Sequence, residues 1–331
     1  MSTMFPRIGR RRALQGAAAG FVAFGLLLWW LLPLGKAPPS GTITFSTGTR
    51  AGVYQEYGVL LRKALAKSMP NLKVKLLTSA GSQENVARVD DGTADFTIAA
   101  ADAVETYELL HPESTQRLRG VARLYDDYLQ LAVPKDSDIR SVADLRGKRV
   151  AIGLPRSGVR LIADRVLRAA GIDPEKDIIP SADGIDVGPE RLGHEIDAFF
   201  WSGGLPTKGL KRVAETSGLR FVPIKAELVA KLHYQDGPTA YYRATNMPAS
   251  AYPKVQMGST VPTMAVSNLL MTRKDMDPRL TEWVTRTVLK SRDGIGAHLH
   301  SAQLVDVRTA IYTDPLALHE GARRYYRSVK P

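Results

Sequence analysis

Cysteine is absent from all 331 residues. That excludes disulfides, thiolate catalysis, Cys-ligated zinc and a lipid-modified N-terminal cysteine. No long run of Lys or Arg follows the first dozen residues, so the formal charge of +12 forms no nucleic-acid-binding stripe. Five of those charges (Arg7, Arg10, Arg11, Arg12 and Lys36) fall in the first 36 residues, where there is no acid, and leave the rest only mildly basic. No Gly-x-Ser-x-Gly elbow offers a hydrolase nucleophile. Gly153-x-x-x-x-Gly158 begins like a phosphate-binding loop, but Val159-Arg160 replaces the Lys-Ser/Thr that would hold phosphate and magnesium. His194-Glu195 lacks a second histidine four residues on, and His298-x-His300 lies in a polar stretch, so both read as surface histidines, not metal ligands. These absences point to a protein that is no enzyme and carries no cofactor or metal.

What is present is ordinary globular composition, 44% apolar and 24% charged, in a chain long enough for two cores. Residues 13–35 carry no charge. At 1.5 Å per residue about 20 helical residues cross the roughly 30 Å hydrocarbon core, so this run is long enough to span. The arginines before it set the N-terminus inside, and Trp29-Trp30 suit the outer interface. Arg10-Arg11-Arg12-Ala13-Leu14-Gln15 resembles a twin-arginine export motif, although an arginine cluster also fits any signal peptide or anchor. No clear small-x-small cleavage site follows, which favours an uncleaved anchor. Residues 1–41 are thus a signal or anchor with a Pro38-Pro39-Ser40-Gly41 linker, and the remainder works outside the cytoplasm.

Two copies of one device follow. Thr42-Ile43-Thr44-Phe45-Ser46 runs into Thr47-Gly48-Thr49-Arg50-Ala51-Gly52 and a helix over 53–67; Arg149-Val150-Ala151-Ile152 runs into Gly153-Leu154-Pro155-Arg156-Ser157 and a helix from about 158. Each strand–turn–helix leaves unpaired N–H groups and a positive dipole end at the turn, which suits an anion. Between 42 and 101 the pattern is β-α-β-α-β, with strands over 73–77 and 95–100 and a helix that Ser82 can cap. That order predicts a parallel sheet binding ligand beyond its carboxyl ends, at 47–52, 79–82 and 100–102. An apolar strand over 128–134 leaves this half, and a β-rich segment over 255–272 returns to it. Ser141-Val142-Ala143-Asp144 has capping-box spacing. Asp197-Ala198-Phe199-Phe200-Trp201 is a buried strand, Pro206 fits the first position of a helix, and helices near 278–291 and 318–328 close the chain.

These segments, in this order, resemble the TAXI family of TRAP-transporter solute receptors. The likeness rests on Thr47-Gly48-Thr49 with Gly52-Val53-Tyr54, Gly81-Ser82 with Glu84-Asn85, and Gly92-x-Ala94-Asp95. It continues through Ser141–Val150 with Ser157-Gly158, Asp197–Phe200 with Pro206-Thr207, Val261-Pro262-Thr263, and His319-Glu320-Gly321-Ala322-x-x-Tyr325-Tyr326, covering roughly 42–328. The resemblance implies an α/β, two-lobed type II periplasmic-binding-protein fold, each lobe a mainly parallel sheet flanked by helices, with two hinge crossings. Lobe 1 is then 42–129 plus 259–331, and lobe 2 is 130–258. It also implies capture of a small anionic solute, an amino or organic acid, by hinge closure for a TRAP-type permease. The chain departs from the family at Gln55, at Ala100-Ala101-Asp102, and at Arg156, where glycine is common.

The expected ligand-binding residues are Thr49, Arg50, Tyr54, Ser82, Asn85, Asp102, Arg156, Ser157 and Trp201. Arg50 and Arg156, with Arg160, suit a carboxylate through bidentate contacts, or else are solvated loop charges. Thr49, Ser82 and Ser157 cap helices, bind solute, or both. Tyr54 and Trp201 pack the solute's carbon skeleton or belong to the core, and Asp102 meets the hinge or a ligand amine. A sensory module signalling to a membrane partner is the main rival, and an enzyme or a lipid-binding protein on the same fold is another.

Overall fold

In this computed structural model the described residues are 15, 20–24, 37–216, 218–234 and 238–329. The chain divides into two units, Met1–Pro38 and Pro39–Pro331. Most of the expected signal or anchor lies outside the described residues; of it, residues 15 and 20–24 are helical. Among the described residues no helix is long and apolar enough to cross a membrane.

The expected β-α-β-α-β run is present. Strand β1 (Gly41–Ser46) pairs in parallel with β2 (Leu72–Leu77) on one side and β3 (Phe96–Ala100) on the other. Between them lie α1 (Val53–Ser68) and α2 (Ser82–Asp90), with α3 (Ala101–Leu110) following β3. Helix α1 forms because Val53, Tyr54, Tyr57, Gly58, Leu61 and Leu65 recur at three- and four-residue spacing and are buried. Burying each large side chain contributes roughly 1.5–3 kcal/mol, more than the differences in helix propensity along the segment. Leu60 and Ala64, which share the same spacing, are only half-buried.

Two long strands cross the middle of the sheet. Strand β4 (Leu118–Pro134) is 17 residues and β10 (Val261–Arg273) is 13, and they run antiparallel to each other. The expected strand over 128–134 is only the end of β4, because Arg119, Arg123, Asp126 and Asp127 break the apolar pattern before it. Beyond β4 come β7 (Ala198–Gly203), β5 (Arg149–Ala151) and β6 (Ile179–Ser181). β5 pairs in parallel with both β6 and β7. The order is β2-β1-β3-β10-β4-β7-β5-β6, with β8 (Leu219–Phe221) on β4 and β9 (Arg243–Met247) on β10.

The second strand–turn–helix leads into α4 (Gly158–Ala169). The capping box at Ser141 and Asp144 is formed. Pro206 does not open a helix: α5 (Lys208–Thr216) starts two residues later. Helices α6 (Pro278–Lys290) and α7 (Glu320–Val329) pack on each other near the chain end. The largest core cluster draws on Ala100 and residues 129–266; two others draw on residues 43–125 and 269–326. Every strand and core residue among the described residues therefore belongs to the unit Pro39–Pro331.

Candidate functional site

Two parallel sets of strands, β1 to β3 and β5 with β7, end at one cavity. Gly48, Thr49, Gly52, Val53 and Tyr54 follow β1, and Ala80, Gly81 and Ser82 follow β2. Ala100 ends β3 and Asp102 lies in the first turn of α3. Ser157, Gly158 and Val159 follow β5, and Trp201, Ser202 and Gly203 end β7. Asp127 of β4 and Val266 of β10 add the two crossing strands. The free volume is about 50 Å³ for the centres of water-sized spheres. One water needs roughly 10–15 Å³ on that measure, so the space suits a small, closely held solute.

The N-termini of α1, α2, α3 and α4 all contribute to the wall. At α1, α2 and α3 the capping residues are Gly52, Gly81 and Ala100, and none supplies a side-chain cap. The first-turn N–H groups of α1 and the positive dipole ends of all three are thus left for another acceptor. In α2, by contrast, the Glu84 N–H donates to the Arg156 carbonyl at 3.0 Å, and in α3 the Asp102 and Ala103 N–H groups already face the Asp102 carboxyl and lower its pKa. Ser157 does cap α4, accepting from the Arg160 N–H at 3.0 Å. Thr49 and Ser82 are not caps. The buried Thr49 hydroxyl has no partner among the described residues. Ser82 is the first residue of α2; its Oγ accepts from the Ala100 N–H at 3.1 Å and meets the Tyr54 hydroxyl at 3.0 Å.

Tyr54 is the centre of a buried network. Its hydroxyl also contacts Asp127 Oδ2 at 3.3 Å and the side-chain oxygen of Asn268. Burial lifts the Asp127 pKa to about 7, against the lowering effect of Asn268 and Tyr54. Asp102 is also shifted upward by burial, a cost that the Arg165 charge and the Tyr242 hydroxyl oppose. Asp102 Oδ2 accepts from Tyr242 at 2.7 Å and from Arg165 at 3.4 Å. One oxygen of each carboxylate, Asp102 Oδ1 and Asp127 Oδ1, has no hydrogen-bond partner among the described residues.

Trp201 lines the cavity with its Nε1–H donating to Thr207 Oγ1 at 3.0 Å. A side chain at Gly203 would fall 2.5 Å from that nitrogen, so glycine is needed there. Behind it, Thr207 N–H donates to the Tyr252 hydroxyl at 2.8 Å, which donates to Gln130 Oε1 at 2.6 Å.

Six of the nine expected residues therefore meet at the cavity: Thr49, Tyr54, Ser82, Asp102, Ser157 and Trp201. Three do not. Arg50 is exposed, and its backbone N–H, with that of Ala51, donates to the Asp186 carboxylate at 3.2 and 2.7 Å. Arg156 is exposed with φ of 64°, the left-handed region that favours glycine, and its carbonyl accepts from the Glu84 N–H at 3.0 Å. Asn85 is fully buried behind the wall. It accepts from Ser46 (2.7 Å) and Ser79 (2.8 Å) and donates to the carbonyls of Thr47 (2.6 Å) and Ile98 (2.9 Å), tying three strand ends together. Among the described residues no Lys or Arg lines the cavity. Asp127 was the residue missed in the sequence, since an acid inside an apolar strand is visible there but its direction is not.

Strand order, crossing strands and a cavity at the strand ends define an α/β protein of the two-lobed type II periplasmic-binding-protein fold. More particularly, residues 45–329 match the NMT1-like family, and the chain belongs to it. Among solved structures it is similar to a putative L-cystine ABC transporter protein from Listeria monocytogenes, at 16% identity and TM-score 0.51, over 80% of this chain and 98% of that one. A structure described as a periplasmic transporter is similar at 14% identity and TM-score 0.51, over 88% and 93%. These neighbours, both transport proteins and the second of them periplasmic, share the fold.

Proposed function

We propose that this chain is an extracytoplasmic receptor that closes on a small amino or organic acid and delivers it to a membrane permease. One observation carries the reading: four helix N-termini and two buried carboxylates wall a single small cavity. The uncapped N–H groups of α1, with the positive dipole ends of α2 and α3 beside them, offer a carboxylate its hydrogen bonds without an arginine. Asp102 and Asp127 each have an oxygen free for a donor, which favours an amino acid over a plain organic acid. Trp201 and the apolar Val53, Val159, Ile162 and Val266 suit a short carbon skeleton.

The halves 42–129 with 259–331 and 130–258 are taken as the closing lobes, and β4 and β10 as their two crossings. The TAXI-like motifs favour a TRAP-type permease, and the N-terminal apolar run favours an uncleaved anchor, with the twin-arginine-like motif as one export route. A thermal-shift series of the full chain in detergent, against amino acids, 2-oxoacids, dicarboxylates and sugars, tests the receptor reading. A ligand at a hundredfold excess over its Kd stabilises the folded state by about 2.7 kcal/mol. At least one small acid is expected to raise the melting temperature, with Kd changed less than threefold by Arg50→Ala or Arg156→Ala. A response to sugars alone, or to nothing, would sink the reading.

A further inference from the structure

A second concavity lies far along α1 from the site, between α1 and α6 and the short helix Arg292–Gly296. Its volume is about 640 Å³, within the range of about 300–1,000 Å³ found for small-molecule sites. Lys63 and Lys67 of α1 and Arg286 and Lys290 of α6 stand around it, and among the described residues no Asp or Glu lines it. Leu60, Trp283 and Ile295 give it an apolar floor. Across that floor the Ser68 and Thr287 hydroxyls bond at 2.8 Å, holding the two helices together.

Arg286 is occupied: it pairs with Glu282 at 3.4 Å and lies 5.3 Å over the Trp283 ring. Lys63, Lys67 and Lys290 are exposed and form no ion pair among the described residues. Complementing the negative helix ends would explain Lys67 and Lys290, which stand in last turns. It does not explain Lys63, a turn earlier, or the absence of any acid around the whole rim.

Where the chain enters the fold bears on the occupant. The Gly41 N–H donates to the Asn71 carbonyl at 3.1 Å, so β1 begins beside the end of α1, four residues beyond Lys67. The uncharged run ends at residue 35, and the five residues 36–40 span at most about 18 Å when extended. We propose that this basic, apolar-floored groove docks the headgroups of anionic phospholipids at the membrane surface. The choice of a lipid over other anions rests on the anchoring reading above; the charge argument does not. Such attraction acts within a Debye length, about 10 Å at 0.1 M salt, and a short linker limits how far the folded unit can move from the surface.

The test uses residues 39–331, the unit that holds every described strand and core residue. Sedimentation with vesicles of 30% phosphatidylglycerol in phosphatidylcholine is compared with pure phosphatidylcholine. Binding to the anionic vesicles is expected to be at least tenfold stronger and to fall steeply between 50 and 500 mM salt. The triple variant Lys63→Glu, Lys67→Glu, Lys290→Glu should lose it at least tenfold. A charge-matched triple at the exposed Lys211, Lys225 and Lys231 should keep it. Equal loss in both triples, or equal binding to both vesicles, overturns the site. Equal retention on a polyglutamate column would assign an acidic protein partner, and a melting shift with inorganic phosphate without vesicle binding a soluble anion; either overturns the lipid. Fractionation of the full chain after a high-salt wash separates these failures from failure of the anchor, because the wash releases a chain held only by the groove and leaves an anchored one in the membrane fraction.

Discussion

Asp127 holds its carboxyl buried in the middle of β4, against Tyr54 and Asn268, with the negative charges of Asp126 and Asp102 raising its pKa further. Its folded pKa of about 7 lies well above the usual 3.8, so between about pH 4 and 7 the folded state keeps a proton that the unfolded state has released. Stability should therefore fall as pH rises through that window and level off above it. A tenfold difference in proton affinity corresponds to about 1.4 kcal/mol, so the whole effect is on the order of a few kcal/mol. Asp127→Asn removes the titration. Urea unfolding at pH 5 and pH 8 should show the variant gaining on the wild type at the higher pH; parallel profiles would mean that the carboxyl is ionised in the fold. At this scale the sequence exposed residue types but not their directions. Tyr54 and Trp201 were expected at the cavity or in the core, and they line the former; Arg50 and Arg156 were expected at an anion, and they face solvent. An arginine in a turn has the same sequence signature whichever way the turn points.

Among the elements, the strand–turn–helix units were legible because period-two and three-to-four-residue patterns change abruptly at Gly48–Gly52 and Gly153–Ser157. What holds their turns together was not. Asn85 satisfies two hydroxyls and two carbonyls from the ends of β1, β2 and β3 at a site with no exposure. Asn85→Ala removes all four bonds at once; Ser46 keeps Arg88, and Ser79 and Thr47 keep each other, but each buried polar group left short of a partner costs about 1–3 kcal/mol. The expected outcome is a loss of about 3 kcal/mol or more in denaturant unfolding, with any loss of solute binding following from it. An unchanged midpoint with lost binding would return Asn85 to the ligand. The strand β4 shows the same limit from the other side: its charged stretch reads as loop in isolation and is a strand because β10 pairs with it along its length.

For the whole molecule, the two principal core clusters meet across the cavity through contacts between distant segments. The Gln83 amide donates to the Ser157 carbonyl at 2.7 Å, the Glu84 N–H to Arg156, Lys208 pairs with Glu56, and Asp186 accepts from the turn before α1. None of Asp186, Lys208 and Glu56 lines the cavity. If the halves open and close, these contacts exist only in the closed form. Asp186→Ala should then weaken solute binding three- to tenfold by calorimetry and enlarge the radius of gyration of the ligand-free protein in X-ray scattering. An unchanged affinity and radius would place the contact in both forms, and closure would have to be sought elsewhere.

Local periodicity, turn residues and the order of elements are properties of short segments, and these the sequence by itself determined: the α/β class, the two strand–turn–helix units and the strand ends where a ligand cavity forms. The direction of each side chain at those ends depends on groups that arrive from far along the chain. The buried Asp127 carboxyl meets Asn268, more than a hundred residues later, and Asp102 is held by Arg165 and Tyr242. Only the tertiary structure could therefore decide that the cavity is walled by helix ends and carboxylates, with no arginine. Its electrostatics are set by contacts between residues that are neighbours in space alone.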